Sequence, residues 1–96
     1  MAKHVMLFKF TEKGAASVHG SPDRAETFVS TAQKLGIKVD RFLWISGPYD
    51  GFAIVDAPSD EAMASLSLGT AKLGNVSTCT CRAYDSAEFR KIVEKI

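Results

Sequence analysis

The chain has 96 residues, 46% of them hydrophobic and 24% charged, which suits a single small domain spanning residues 1–96 with a modest core. Its 12 Lys and Arg against 11 Asp and Glu give a net charge of +1, and the basic residues are scattered, so nucleic acid is not an expected partner. No apolar run approaches the roughly 20 residues needed to cross a bilayer, and the first residues lack the pattern of a secretory signal. We therefore expect a cytoplasmic protein without membrane contact.

The amino-terminal segment predicts a strand with two apolar faces. In "HVMLFKF", residues 4–10, Met6, Phe8 and Phe10 alternate with Val5 and Leu7, the period of a β-strand. Residues 11–20 then predict an irregular connection with room for one short helical turn, because the glycines in it bracket too few residues for a stable helix.

A helix is predicted next. Ser21 suits its N-cap and Pro22 its first position, where the missing N–H of proline leaves no donor unpaired. Apolar residues recur at helical spacing after this start at Ala25, Phe28, Val29, Ala32 and Leu35. Gly36 supplies the carboxyl-terminal stop.

A β-hairpin is predicted in the middle of the chain. The segments "IKVDRFLWIS" and "GFAIVDA" read as strands, and the short "GPYDG" connection between them favours antiparallel pairing. Gly47 and Gly51 are expected to allow a turn geometry closed to residues with a Cβ, and Pro48 fixes a backbone dihedral angle.

The last third of the chain predicts two further helices around a fourth strand. Ser59 can cap a helix that ends at Gly74 and Asn75, and "VSTCTCRAY" alternates like a strand. A capping box follows at residues 85–88, ahead of a terminal amphipathic stripe formed by Phe89, Ile92, Val93 and Ile96.

The predicted order is βαββαβ with one added helix, which is the ferredoxin-like α+β plan: a four-stranded antiparallel sheet with helices on one face, plus a carboxyl-terminal helix. Both sheet faces are apolar. We expect the helices to cover the smaller set, consisting of Val5, Leu7, Val39, Leu43, Ile45, Ala53 and Val55. A large, mainly aromatic set is then left uncovered, consisting of Met6, Phe8, Phe10, Phe42, Trp44, Phe52 and Ile54. An exposed patch of that kind indicates an interface or a groove, and a second copy of the chain is its simplest cover.

The turn has a structural and a functional interpretation. Tyr49 either packs over the end of the hairpin or forms the lid of a pocket. Asp50 either accepts backbone N–H bonds in the turn or acts as a general base, if burial raises its pKa. Trp44 either fills an interface or lines a cavity beside it.

Cys79 and Cys81 are the only cysteines and share one strand face. Their spacing strains a disulfide, so two reduced thiols packed as small apolar groups are expected. His4 and His19 are isolated, and no spacing motif for a metal joins them to the cysteines. We therefore expect no metal site, and nothing in the sequence calls for a cofactor.

Several segments resemble the GYD-domain proteins, a small bacterial family grouped with the dimeric α/β-barrel proteins. They are "LFKFTEKG", "SPDRAETF", the stretch from Trp44 to Ala57, "LGNVSTCTCRAY" and the final "EFRKIVEKI". The Gly-x-Tyr-Asp motif of the family falls on Gly47 to Asp50, with Pro48 in its variable position. The resemblance implies a ferredoxin-like fold of the dimeric α/β-barrel type and a homodimer formed through the sheet face.

Two classes of function are compatible with these features. The first is a non-enzymatic oligomeric domain that binds a small apolar molecule between sheet and partner subunit, with walls from Phe8, Phe10, Trp44, Tyr49 and Phe52, and Asp50 at the rim. The alternative is a small cofactor-independent enzyme, similar to the monooxygenases and isomerases of dimeric α/β-barrel type. The alternative rests on fold, which does not carry function, and requires His4, Tyr49 or Asp50 to meet the substrate as acid or base.

Overall fold

The computed structural model describes all 96 residues of the chain. Its elements follow the predicted order, with a short helix and a 3₁₀ turn, Val18–Gly20, in the first connection. They are β1 Ala2–Phe10, α1 Glu12–Ala16, α2 Ser21–Lys34, β2 Lys38–Trp44, β3 Gly51–Ala57, α3 Asp60–Lys72, β4 Val76–Arg82 and α4 Ser86–Val93. The four strands form one antiparallel sheet in the order β2-β3-β1-β4, which confirms the ferredoxin-like α+β fold and the added terminal helix.

Helix ends lie close to the residues that predict them, but the N-cap of α2 is Gly20, without a side-chain cap bond, and not the predicted Ser21, which is the first residue of the helix. The Ser59 hydroxyl caps α3 by accepting the Ala62 N–H at 3.1 Å. Asp85 and Glu88 form the predicted capping box of α4. Gly36 follows α2 with a φ of 76°, and Gly74 follows α3 with a φ of 77°, a left-handed conformation that glycine adopts without steric penalty.

The distribution of side chains between the two sheet faces differs from the sequence prediction. Met6 lies opposite Ala53 across the β1–β3 ladder, and Leu7 lies opposite Phe52. Directly opposed residues of antiparallel strands share a face, so Phe52 cannot accompany Met6. The core confirms which face is covered, since Met6 and Ala53 are 2% and 1% exposed and pack with α2 and α3.

We call these surfaces the helix face and the open face. The helix face carries His4, Met6, Phe8, Val39, Phe42, Trp44, Gly51, Ala53 and Val55. The open face carries Val5, Leu7, Leu43, Phe52 and Ile54. The expectation that the smaller set meets the helices is therefore wrong for Val5, Leu7 and Leu43 and right for Val39, Ala53 and Val55. The helices cover Met6, Phe8 and Phe42 of the set that was expected to stay uncovered.

A bulge in β2 explains one part of this error. Val39 pairs with Val55 and Phe42 pairs with Ala53, although the register shifts between Val39 and Arg41. An extra residue in one strand reverses the alternation beyond it. Val39 and Phe42 therefore reach the same side of the sheet, and both pack against the core.

The buried core lies between the helix face and the inner sides of α2 and α3. Its fully buried members are Met6, Ala32, Ile37, Ala53, Val55, Ala57, Met63 and Leu66. Small side chains on β3 face larger ones on β1 and the helices, which lets the two layers approach each other. Burial of these side chains supplies the main favourable free energy of the fold.

The first connection, after β1, is hydrogen-bonded to the turn that precedes β4. Thr11 caps α1 through its hydroxyl, which accepts the Gly14 N–H at 3.1 Å, and it also donates to the Gly74 carbonyl at 2.6 Å. Gly14 lies against the next backbone, so that a Cβ there would be only 1.9 Å from the carbonyl oxygen of Asn75. Glycine is therefore required at this contact between α1 and the turn before β4.

The terminal helix α4 leaves its apolar stripe in solvent. No residue of α4 is buried, and Phe89, Val93 and Ile96 are all among the exposed large apolar side chains. The helix is joined to β4 by an ion pair between Arg82 and Glu88, 3.3 Å apart. The apolar residues of α4 have the helical spacing of a surface that packs against another element. Within the chain, no element covers them.

Candidate ligand-binding site

A cavity of about 340 Å³ opens between α2, α3 and the helix face of the sheet. Half of its sixteen lining residues are hydrophobic. The large apolar side chains in its wall are Met6, Phe8, Phe28, Phe42, Leu73 and Val76. The polar ones are Ser21, Arg24, Thr27, Thr31, Thr70, Asn75 and Thr78. Both the volume and the lining are typical of small-molecule sites in proteins.

Aromatic rings form one continuous wall of this cavity. The Phe42 ring centroid lies 5.3 Å from that of Phe8 and 5.6 Å from that of Phe28. Phe28 comes from α2, whereas Phe8 and Phe42 come from β1 and β2, so the rings join the helix to the sheet. Offset and edge-to-face contacts at these distances are favourable.

Gly51 gives the Phe8 ring its position. A Cβ on Gly51 would lie 2.1 Å from Cζ of Phe8 and 2.6 Å from the carbonyl oxygen of Leu43. The ring therefore lies directly over the glycine, its partner across the β1–β3 ladder. Gly47 has open space around its Cβ position and no positive φ. The predicted need for glycine in the turn thus holds for Gly51, through a ring contact and not through turn geometry, and does not hold for Gly47.

Arg24 is the only charged residue that lines the cavity. Its Nη1 donates to the carbonyl oxygen of Ser17 at 3.1 Å and lies 3.4 Å from the Ser17 hydroxyl. Its Nη2 is buried and has no hydrogen-bond acceptor in the chain. A buried donor without a partner is unusual in native proteins, which makes Arg24 the most distinctive feature of the site.

Trp44 lies on the helix face at the edge of the sheet. Its Nε1 donates to the Ser21 hydroxyl at 3.0 Å, and its ring centroid is 5.0 Å from that of Phe42. Together with residues of α2, among them Pro22 and Val29, it lines a shallow groove beside the cavity. Trp44 therefore joins β2 to the start of α2 and does not belong to the open face predicted for it.

Asp50 connects the hairpin turn to the end of β1. Its carboxylate accepts the Phe10 N–H at 2.7 Å, and its own N–H donates to the Phe8 carbonyl at 2.8 Å. Its carbonyl accepts the Ile45 N–H at 2.9 Å. Asp50 thus accepts a backbone N–H, as the structural interpretation predicts, but the donor belongs to β1 and not to the turn.

The candidate residues from the sequence do not meet at one site. Phe8 lines the cavity, but Phe10 does not. The ring centroids of Phe8 and Phe10 are 6.2 Å apart. Phe52 points to the open face, on the opposite side of the sheet. Tyr49 is half-buried within the turn. The cavity in the structure lies on the helix side of the sheet, and the cleft between sheet and partner subunit stays a prediction.

The possible acid and base groups are also far apart. His4 is buried, and its Nδ1 is 3.2 Å from the Ala2 carbonyl oxygen. The Asp50 carboxylate is bound at Phe10, six residues along β1, which is about 20 Å at ~3.3 Å per residue. Neither residue lines the cavity, and neither does Tyr49.

Other charged groups cluster on the open face, at the end of the sheet away from the turn. Lys3 lies 3.2 Å from the Asp40 carboxylate and 3.3 Å from that of Asp56. Hydrogen bonds to Asp40 and Asp56 raise the pKa of Lys3, and hydrogen bonds with Asp56 and Lys3 lower the pKa of Asp40. The charges of these groups compensate one another, and neither aspartate is paired with Arg24.

Both cysteines are free and exposed, so the expectation that they pack as small apolar groups is wrong. Cys79 pairs with Leu7 and Cys81 with Val5, which places them on the open face of the edge strand β4. Hydrogen bonding to Cys79 raises the pKa of the Cys81 thiol. The structure has no group of three or more His, Cys, Asp or Glu residues placed to hold a metal ion. None of its helices has the length and apolar character to span a membrane.

Fold and site together define an α+β protein of the ferredoxin-like class with a mainly apolar cavity between its helices and its sheet. The family model of the GYD domain matches residues 4–93. Because the match covers nearly all of the 96 residues, the chain belongs to the GYD domain family, which confirms the resemblance seen in the sequence. A comparison with curated proteins found no significant match.

Proposed function

We propose that this GYD-domain protein binds a small, largely apolar molecule in the cavity between α2, α3 and the helix face. The observation that supports the proposal is the cavity itself, with about 340 Å³ of space behind a wall of phenylalanine rings. A hydrophobic core usually closes such a space with side chains. An open apolar cavity of this size is therefore a reasonable place for a ligand.

The residues around the cavity favour binding over catalysis by proton transfer. His, Asp, Glu, Cys, Lys and Tyr, the usual acids and bases, do not occur among its lining residues. His4, Tyr49 and Asp50, which the enzymatic alternative requires, lie outside it. We therefore favour a ligand-binding protein over a cofactor-independent enzyme.

A blocking variant tests the proposed site. Gly69 lines the cavity from α3, and a Cβ there would meet no atom within 4 Å. Gly69→Leu should therefore occupy cavity space without disturbing the fold, and replacing a helical glycine favours the helix. Ala71→Leu, at an exposed position of the same helix that does not line the cavity, is the matched control.

The probe is 2-naphthalenemethanol, a neutral aromatic alcohol, titrated into ¹⁵N-labelled protein and followed by amide chemical shifts. We expect shifts at Phe28, Phe42 and Thr78 in the parent protein and in Ala71→Leu, and their loss in Gly69→Leu. Absence of binding to the parent protein, or unchanged binding to Gly69→Leu, would contradict the proposed site.

We further propose that the protein forms a homodimer through the open face. No element of the chain covers this face, where Leu43 is 44% exposed and Cys79 and Cys81 are exposed. An exposed, contiguous apolar surface is typical of protein interfaces. A second copy presents the same sheet face and, in α4, a second uncovered apolar stripe, so one symmetric association can cover both.

Two adjacent residues test the dimer. Leu43 and Trp44 are each 44% exposed, but they lie on opposite faces. Sedimentation equilibrium at micromolar concentration should give about twice the 10.4 kDa chain mass for the parent protein and for Trp44→Glu. Leu43→Glu should give a monomer, because a carboxylate on a buried interface is strongly unfavourable. A parent protein that stays monomeric at high concentration would contradict this proposal, and so would dissociation by Trp44→Glu alone.

Location of the protein in the cytoplasm stays a prediction from the sequence.

A further inference from the structure

We infer that the molecule bound in the cavity is an organic carboxylate, with an apolar body against the phenylalanine rings and its carboxylate on Arg24. This inference rests on the proposed binding function and specifies the chemistry of the ligand. Three features of Arg24 support it: its lack of a counter-charge, its orientation and its unused donor.

The charge of the cavity is positive and uncompensated. Arg24 is the only charged residue among the sixteen that line it. None of the ion pairs in the structure includes Arg24, since they join Lys3 to Asp40 and Asp56, Lys38 to Asp40, and Arg82 to Glu88. A guanidinium stays charged in proteins, so an apolar ligand that enters this space meets a fixed positive charge.

The sequence around Arg24 provides no acidic partner on α2. Residues three and four positions away share a helix face with an arginine and are where a pairing carboxylate is normally found. Here these positions hold Gly20, Ser21, Thr27 and Phe28. The nearby acids Asp23 and Glu26 are one and two residues away, where side chains do not face each other.

Ser17 orients the guanidinium and leaves part of it free. Nη1 is bound by the Ser17 carbonyl oxygen at 3.1 Å, while Nη2 is buried without an acceptor. A Cβ on Gly20 would lie 2.9 Å from Nη1, so the chain leaves room for the guanidinium at this place. A carboxylate is the acceptor that best matches the planar donor fork of arginine, and it would supply the partner that the chain does not.

Two probes of the same size test the inference. 2-Naphthoate and 2-naphthalenemethanol share one ring system, and only the first carries a charge. Dissociation constants are measured from amide chemical shifts at a fixed ionic strength near 0.15 M, since salt screens charge pairs. We expect the parent protein to bind the carboxylate about tenfold more tightly than the alcohol, the range for a hydrogen bond between charged groups.

Substitution of Arg24 should remove only the preference for the carboxylate. Arg24→Gln should bind both probes equally, with the affinity for the alcohol unchanged, which also shows that the cavity stays folded. Lys34→Gln is the matched control, because it changes the net charge equally at an exposed position of the same helix that does not line the cavity. It should keep the tenfold preference.

The outcomes separate this inference from the proposed function. If the parent protein binds both probes equally, the role of Arg24 is wrong, whereas binding in the cavity stands. If it binds neither, both are wrong. An equal loss of preference in Arg24→Gln and Lys34→Gln would show a general effect of net charge and overturn the inference. Should Arg24→Gln not fold, Arg24→Met, which keeps much of the apolar stem and removes the charge, takes its place beside the Lys34→Gln control.

Discussion

The helix face and the open face of the sheet use apolar residues in different ways. On the helix face, large side chains of β1 lie opposite small residues of β3, as Phe8 does opposite Gly51 and Met6 opposite Ala53. On the open face, large side chains oppose one another, as Leu7 opposes Phe52 and Val5 opposes Ile54. Interdigitation of large and small groups is what a second packed layer requires. The open face is a smoother apolar surface, suited to contact with another molecule.

The comparison predicts very different effects for neighbouring residues of β1. Met6→Ala removes a side chain that is 2% exposed and should lower the free energy of unfolding by about 2–5 kcal/mol. Leu7→Ala changes a half-buried residue of the open face and should cost about 1 kcal/mol. Urea denaturation at a protein concentration low enough to keep the chain monomeric measures both losses. Equal losses would show that the two faces are packed alike.

Gly47 and Gly51, at the two ends of the hairpin connection, test how tightly the helix face is packed. Gly51→Ala forces a methyl group against the Phe8 ring and the Leu43 carbonyl oxygen, and overpacking of this kind costs about 1–3 kcal/mol. Gly47→Ala meets no neighbouring atom and should change stability by no more than about 0.5 kcal/mol. A fully tolerated Gly51→Ala would mean that the Phe8 ring can move away from the helix face.

Asp50 should give the smallest of the three differences. Asp50→Ala removes the acceptor of the Phe10 N–H and should lower the free energy of unfolding by about 1–2 kcal/mol, because the donor is partly buried. Asp50→Asn keeps an acceptor oxygen without the charge and should lose about half as much. Thermal unfolding of the two variants beside the parent protein measures this order. Melting temperatures equal to that of the parent would exclude the structural role.

Local signals in the sequence were sufficient for the elements and their order. The alternation of β1 and β3, the serine cap of α3 and the capping box of α4 all depend on residues close together in the chain. Such signals act over one or two turns of a helix or along one strand. For that reason β3 begins and ends at the predicted residues, Gly51 and Ala57.

The assignment of faces required information that no single strand contains. Alternation shows that Phe52 and Ile54 share a face, but only the cross-strand register shows that they oppose Leu7 and Val5. A shift of one residue reverses the answer. The bulge between Val39 and Arg41 has the same effect within β2, and no glycine or proline in that segment indicates it.

The cavity depends on the spacing of two helices over the sheet, which the sequence does not encode locally. One signal for Arg24 was nevertheless present. Arg24, Phe28 and Thr31 follow a helical spacing of four and three, and all three line the cavity. A single arginine in line with an inward-facing phenylalanine, without an acid at pairing distance, indicates a guanidinium that has no partner on its own helix.

The indole of Trp44 gives this protein an intrinsic optical reporter at a useful place. It is the only tryptophan in the chain, and its Nε1–H bond to Ser21 joins the edge strand to the beginning of α2. Emission from an indole shifts to longer wavelength when its surroundings become more aqueous. Fluorescence of the unmodified protein would therefore follow separation of α2 from the sheet, with no label added beside the cavity.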